Sequence, residues 1–482
     1  MNHQVIKEII LNYERHYPVD QWMINGIHIW PNMRFKLYFY LLHSDDQIKK
    51  DVVKTTPQKE QTTFGNKWLN YIKAFFTYRN FILKLNKVDT VFMGLKMHRV
   101  SYKNTLLNRF FDPIIMIQPD LNFLHLEIDQ MPANVQNKSQ SFSLPVLRRG
   151  LKFSKIFRGD PVQASKSIAV LPLFENFVDE LNNEPWNNGD LDCSKSYWNN
   201  WTDKVYRKSI WFKTIFQKAN LKHLVIASYY GYEDTAAAIF AAGQLGIPSA
   251  DFQHGPQTGV HMAYTSWLKT PKLGFNTMPT HYWCWDESSA ANINSWHLNG
   301  RAVALGNTWL QFNLPKVTYR PSHILYTLQV LNRDNLTYFF TDELFKAITS
   351  SKYLWVLRLH PRNVLSVEEL KVYLNQFISE DDYRIEYPAQ QSLINSIAQS
   401  VVHVSNFSGC FLEAHQMGIP NVIIDQAGYD FYSNYIDDEL NYFISKTSAN
   451  FSSELESIVN KDHTTPSKKE ISMAAIHDLF NS

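Results

Sequence analysis

The stretch SADFQHGPQTGVHMAY (residues 249–264) ends a strand-like run on His254-Gly255-Pro256 and places a second histidine, His261, seven residues later. A purely structural turn is served by Asn-Gly or Asp-Gly. An imidazole, with an ordinary pKa near ~6.5, can take or give a proton at neutral pH. Gly255 lets backbone or a bound molecule approach without a Cβ in the way. Glu233, Asp234 and Asp251 are rival proton acceptors in the same part of the chain. The plainer reading of His254 is a ring that hydrogen-bonds its own loop, and His261 reads as structural.

A second constellation lies downstream. LRLHPR finishes a strand with Arg358, His360 and Arg362 around Pro361, and VSNFSGCFLEAHQMGIP finishes another with Ser405, Asn406, Ser408 and Gly409. A Ser/Gly turn feeding a helix exposes backbone N–H groups, and the two hydroxyls add donors, which suits an anion such as phosphate. The serines could equally be N-caps, although one suffices for a cap. Glu413, about one turn into that helix, can accept both hydroxyls of a ribose or simply sit favourably near the helix start.

These residues need elements to hold them. Short β-branched runs alternate with helix-like stretches: 89–95, 112–118, 222–230, 247–253, 280–285 and 302–306 read as strands, and DTAAAIFAAGQLG reads as a helix stopped by Gly246 and Pro248. Residues 307–322, with two prolines, read as a linker. The alternation restarts with strands at 323–329, 353–361, 383–387, 400–406 and 420–425. Such alternation gives parallel sheets whose ligands bind at the carboxyl ends of the strands. The expected organisation is α/β: a helical N-terminal region (1–85), a first Rossmann-like domain (86–315) and a second (316–482), facing each other across a cleft.

The totals narrow the class. The chain has 482 residues, 45% hydrophobic and 19% charged, with a net charge of +2 and no repeat, so a nucleic-acid partner is not expected. Cys193, Cys284 and Cys410 form no CxxC and fit a reducing compartment. The first residues lack the pattern of a signal peptide, and no apolar run is long enough to span a bilayer. The chain therefore reads as cytoplasmic. Two stretches, 66–87 and 147–159, carry Lys and Arg among aromatic and aliphatic residues and contain no acid. They read either as solvated helix faces or as contacts with an anionic inner leaflet, which would make the protein peripheral at the inner membrane.

SNFSGCFLEAHQMGIPNVII is similar to the donor-binding segment of glycosyltransferases with the GT-B fold, where a strand, a small-residue turn, Glu-Ala on a helix and Gly-x-Pro recur. RLHPR resembles the His-Pro motif of bacterial sialyltransferases and CDP-glycerol transferases, and DFQHGPQTGVH resembles a segment of CDP-glycerol glycerophosphotransferases and related capsule enzymes. Together these resemblances cover residues 222–440 and imply a GT-B enzyme of capsule or O-antigen synthesis. They imply that a nucleotide-sugar donor, as substrate and with no cofactor, binds through Gln329, Arg358, His360, Arg362, Ser405, Asn406, Ser408, Gly409 and Glu413. His254, with Glu233 and Asp234 as rivals, would take the proton of a glycan or lipid-linked glycan acceptor.

Many retaining members carry two glutamates eight positions apart, but counting back from Glu413 reaches Ser405, which implies an inverting enzyme. No Asp-x-Asp stands in a suitable loop, so no metal is expected. Polymerising CDP-glycerol enzymes pair their two hydroxyl residues directly, whereas Asn406-Phe407 separates Ser405 from Ser408 here. Three alternatives stay open: a CDP-alditol phosphotransferase of teichoic-acid type, a nucleotide-sugar 2-epimerase-like enzyme, and a non-catalytic glycan-binding scaffold.

Overall fold

The computed structural model describes residues 2–43, 64–156, 168–297, 301–314 and 319–461. The strands in chain order are β1 (Met23–Ile24), β2 (Ile27–His28), β3 (Thr90–Gly94), β4 (Arg99–Tyr102), β5 (Thr105–Asn108), β6 (Phe123–Glu127), β7 (Ser141–Ser143), β8 (Ala169–Val170), β9 (His223–Ala227), β10 (Ser249–Phe252), β11 (His281–Cys284) and β12 (Arg301–Ala304). After them come β13 (His323–Thr327), β14 (Leu354–Arg358), β15 (Tyr383–Glu386), β16 (Ser400–Ser405), β17 (Asn421–Ile423) and β18 (Asn441–Phe443). Two all-parallel sheets form the frame, ordered β12-β11-β10-β9-β3-β6-β7 and β15-β14-β13-β16-β17-β18. The chain is thus α/β with two Rossmann-like sheets, the architecture called GT-B.

Each sheet grows one way from its first strand and then the other way. The order reverses between β3 and β9 in the first sheet and between β13 and β16 in the second. A crevice opens at such a reversal, because the flanking crossovers leave on opposite faces. The loops after β3, β9, β13 and β16 therefore line the places where ligands are expected. His254 follows β10, one strand from the first reversal, while Gln329 and Ser405–Gly409 follow the two strands of the second.

The helix Glu233–Gln244 shows why the local sequence folds as it does. Its alanines are buried and small enough to lie close on the sheet. Gly246, at φ +70°, takes the left-handed conformation that ends it. The helices His3–His16 and Trp30–Leu42 share one hydrophobic core with the first sheet, and β1 pairs with β2 and, across a long stretch of chain, with β8. A separate apolar cluster joins the two sheets' layers, with Phe110, Phe252 and Trp283 from the first packed with Phe411, Leu412 and Tyr432 from the second.

Several expectations are corrected. DPIIMIQ (112–118) is the helix Asp112–Ile117: Pro113 sits in its first turn, where a missing N–H costs nothing, with Asp112 favourable at the positive helix end. Part of the 307–322 linker is the helix Thr308–Asn313, capped by Asn307, while 315–318 lie outside the described residues. Of the strands in the two parallel sheets, β6, β7 and β18 escaped the sequence reading. β7 and β18 have three residues each, too short for a periodic signal, and β6 carries His125 and Glu127 inside its apolar run.

Candidate active site

The carboxyl ends of the two sheets meet. A Cβ on Gly409 would stand 3.9 Å from Cδ of Pro256, so the His-Gly-Pro loop lies against the serine turn. Tyr435 of the second domain donates to Asp286 of the first at 3.0 Å, and Gln416 donates to the Trp285 carbonyl at 3.3 Å.

His254 is half-buried and tied into a hydrogen-bonded relay. His261 Nδ1 accepts the Ala263 N–H at 3.3 Å, which leaves its Nε2–H to face Tyr230 Oη at 3.4 Å. Tyr230 in turn faces His254 Nε2 at 3.1 Å. From this pattern we assign a Tyr230 hydroxyl that accepts from His261 and donates to His254. The other nitrogen of His254 is enclosed, beside the Phe252 carbonyl. Burial, and after it the Arg109 charge, push the imidazole down to about 4 against the opposing pull of the Phe252 carbonyl. The ring is therefore neutral at pH 7.

The loop that carries it is clamped from outside. Arg34, fully buried, pairs with Glu14 at 2.7 Å and donates to the carbonyls of Met262 and Ser266. The first two helices thus hold the chain that follows His254. Asp251, one of the rival bases, has no exposed surface and accepts from the Tyr229 N–H at 3.0 Å and Tyr264 Oη at 2.7 Å. Burial raises its pKa to about 8 against those hydrogen bonds, so it is a neutral or shared-proton group within the core.

Glu233 and Asp234 open the helix Glu233–Gln244 and meet cations of neighbouring helices. Glu233 pairs with Lys208 at 2.6 Å and Lys204 at 3.3 Å, and Asp234 pairs with Arg148 and with Lys208 at 3.4 Å. For Glu233, burial pushes the pKa up, but the Lys208 hydrogen bond and the two lysine charges carry it below the ordinary value. Both carboxylates sit in one ion-pair network, Glu233 half-buried and Asp234 buried.

In the second domain, Arg358 is nearly buried. It pairs with Glu386 and donates to Ser396 Oγ at 2.9 Å and the Gln391 carbonyl at 3.0 Å. His360 is half-buried and Arg362 exposed. His360 Nδ1 accepts the Arg362 N–H at 3.1 Å, which fixes the neutral ring as an Nε2–H donor. Its pKa is lowered by burial and then by the Arg362 charge. Ser405 is buried with an Oγ that has no partner among the described residues, and Asn406 accepts from Tyr326 at 2.7 Å. Ser408 Oγ accepts the Cys410 N–H at 3.3 Å. Gly409 precedes the helix Cys410–Gln416, and Gln329 lies half-buried beyond β13. Glu413 is buried, and burial raises its pKa against the charges of Arg109 and Arg358.

Arg109 is the residue that sequence reasoning missed. It follows the β4–β5 hairpin, with its guanidinium 4.8 Å from the Phe110 ring centroid and an Nε that is buried without a partner among the described residues. Its charge acts on His254 and His98 from the first domain and on Glu413 and Cys410 from the second. His98 stands beside it, buried, its ring centroid 6.0 Å from that of His254; burial, then the charges of His254, Arg109 and Arg99, hold it well below 6.5. The site is therefore a half-buried cation among neutral imidazoles, with a serine turn and a buried carboxyl from the second domain. Among the described residues no group of three or more His, Cys, Asp or Glu side chains gathers as a metal would need.

The chain matches no family model and no curated protein. Among solved structures it is similar to UDP-GlcNAc 2-epimerase of Methanocaldococcus jannaschii, at 11% identity and a TM-score of 0.48 over 82% of this chain and 99% of that one. It is also similar to the lipopolysaccharide outer core galactosyltransferase WaaB, at 11% identity and a TM-score of 0.44 over 81% and 94% of the two chains. MurG of Acinetobacter baumannii stands at 9% identity and a TM-score of 0.41, over 82% and 99%. The architecture described above rests on this chain's own sheet order and not on these likenesses.

Proposed function

We propose that the chain is an inverting, metal-independent glycosyltransferase that moves a sugar from a nucleotide-sugar donor to a surface-polysaccharide or lipid-linked glycan acceptor. The observation that carries this reading is Arg109, a cation shared by both domains where the carboxyl ends of two parallel sheets meet. A half-buried guanidinium whose Nε is enclosed without a partner among the described residues suits an anionic ligand, and a diphosphate supplies one.

In this reading the donor diphosphate lies between Arg109 and the serine turn, with the Nε2–H of His360 directed to a phosphate oxygen. Arg358, held by Glu386 and Ser396, buttresses that strand end and adds positive potential, with Arg362 at the rim. Asn406 and Gly409 shape the turn, Glu413 accepts from ribose hydroxyls, and Gln329 faces the base or ribose. The acceptor oxygen attacks the anomeric carbon as the bond from that carbon to the phosphate oxygen breaks. The nucleoside diphosphate leaves with the bonding pair, and the acceptor's proton passes to the Tyr230 hydroxyl as that hydroxyl's own proton moves to His254 Nε2. Glu233 and Asp234 hold the helix beside that loop.

His254 is a weak base as it stands, because burial and Arg109 both disfavour its charged form. A diphosphate on Arg109 cancels the second of these. Donor binding thus strengthens the base at the moment it is needed.

The test offers CMP-, UDP-, GDP- and CDP-linked donors with and without a glycan acceptor and measures the free nucleotide. One nucleotide should be released in an acceptor-dependent way, and His254→Ala should keep donor affinity within about threefold while turnover falls roughly 100-fold or more. Failure of every donor to bind overturns the reading. Isomerised nucleotide sugar without acceptor replaces it with a 2-epimerase, and transfer of a phosphoalditol replaces it with a phosphotransferase.

A further inference from the structure

The helix Phe64–Lys84 supplies none of the residues in the candidate site and carries a face that no described part of the chain covers. Leu69, Phe76 and Leu83 recur every seven residues and are 55%, 60% and 70% exposed. At about 3.6 residues per turn they fall in one line along the helix. The opposite side already holds the helix to the protein: Ala74 and Phe81 are buried, and Gly150 of the helix Leu144–Ile156 packs directly on the Ala74 carbonyl and Tyr78 Cβ. Packing therefore gives no reason for the outer line of apolar side chains. Burying them is worth about 25 cal/mol per Å² of apolar surface, so something favourable is left over on that face.

The charge around the line identifies its counterpart. Lys73 and Arg79 are exposed and flank it on its two sides, and Lys152 is exposed on the neighbouring helix. No Asp or Glu occurs from 64 to 88 or from 144 to 159. Among the described residues no helix is long and apolar enough to cross a membrane. We propose that this face docks on the surface of an anionic lipid bilayer, with Leu69, Phe76 and Leu83 entering the headgroup–acyl boundary while Lys73 and Arg79 meet lipid phosphates. A second copy of the chain is disfavoured as the occupant, because two such cationic faces repel.

Topology gives the docking an orientation. The helix Phe64–Lys84 leads towards the amino end of β3, so its Leu69 end lies towards the carboxyl edge of the first sheet. The helix Leu144–Ile156 begins at that same edge, directly after β7, and Arg148 from it reaches Asp234. The line of apolar residues thus runs towards the edge where the cleft lies. The docking surface does not depend on the reaction proposed above, and the two can fail separately.

Sedimentation of the full-length protein with phosphatidylcholine vesicles, with and without phosphatidylglycerol, tests the proposal. The protein should pellet only with the anionic vesicles and be released by salt. Lys73→Glu/Arg79→Glu should weaken binding by roughly thirtyfold or more, and Phe76→Ser/Leu83→Ser by at least as much, with melting temperature and activity on soluble substrates unchanged. Equal binding to neutral vesicles, or none to anionic ones, overturns the proposal. So does a lowered melting temperature for Phe76→Ser/Leu83→Ser, which would mean that the chain itself covers this face. A dimer that this variant turns into a monomer overturns it in favour of a second copy.

Discussion

Arg109 acts on His98, His254, Cys410 and Glu413, and its removal should be read through them. If Arg109 holds the donor as proposed, Arg109→Ala should lower kcat/KM by roughly 10- to 100-fold through loss of a charge-assisted contact. Loss of a positive neighbour also raises the His254 pKa, so the acid limb of the pH profile should move from near 4 towards the ordinary histidine value. Arg109→Lys, which keeps the charge, should hold the limb in place, and an unmoved limb in the alanine variant would remove Arg109 from the site. This residue was not legible in the sequence. It stands alone between an asparagine and two phenylalanines, and what gives it meaning are partners more than a hundred residues away. His254, His360 and the serine turn could be read, because each sits at the end of an apolar strand, where position alone signals exposure at a sheet edge. Glu233 and Asp234 show the limit of that signal. They too follow a strand, yet Lys204, Lys208 and Arg148 engage them, and nothing local announces those cations.

At the scale of elements, two glycines set how closely neighbours approach. A Cβ on Gly428 would overlap the Asn406 carbonyl oxygen and crowd Ile423, so the helix Gln426–Tyr432 lies hard against the serine turn. Gly428→Ala should cost about 1–3 kcal/mol by denaturant unfolding and weaken nucleotide binding. A Gly428→Ala protein with unchanged donor affinity would separate the turn from the donor. Gly150→Leu should destabilise by a similar amount, through overlap with Ala74 and Tyr78. It should leave donor affinity alone, since the helix pair it disturbs is remote from the turn. The strands that carry these loops were legible as buried β-branched runs. The helix Asp112–Ile117 was not, since the apolar run at 114–117 fits a short strand and a short helix alike and only Asp112 and Pro113 ahead of it decide between them.

The whole molecule was half legible. Two runs of alternating strands and helices announced two parallel sheets facing each other, but not that Pro256 and Gly409 would touch or that Phe110 and Phe252 of one layer would share a cluster with Phe411 and Leu412 of the other. Closure of this kind comes from surfaces brought together after each sheet has formed, and no periodicity records it. It also encloses histidines. Burial holds His3 and His254 at about 4 and His261 at about 3. Each takes a proton more readily unfolded than folded, so stability is whole above ~6.5 and is lost as pH falls from there towards 3–4. The melting temperature should drop between pH 7 and pH 4.5, and His261→Asn should flatten the drop. A melting temperature that stays level across that window would contradict the enclosure.

The helix His3–His16 touches both halves at once: His3 lies edge-on to Phe431 with ring centroids 4.4 Å apart, and Lys7 donates to the Gly259 carbonyl at 2.8 Å. Any breathing of the two lobes must therefore slide or unseat the opening turn of the chain. An affinity handle fused ahead of Asn2 would load that joint directly, whereas one at the far end would leave it free to move.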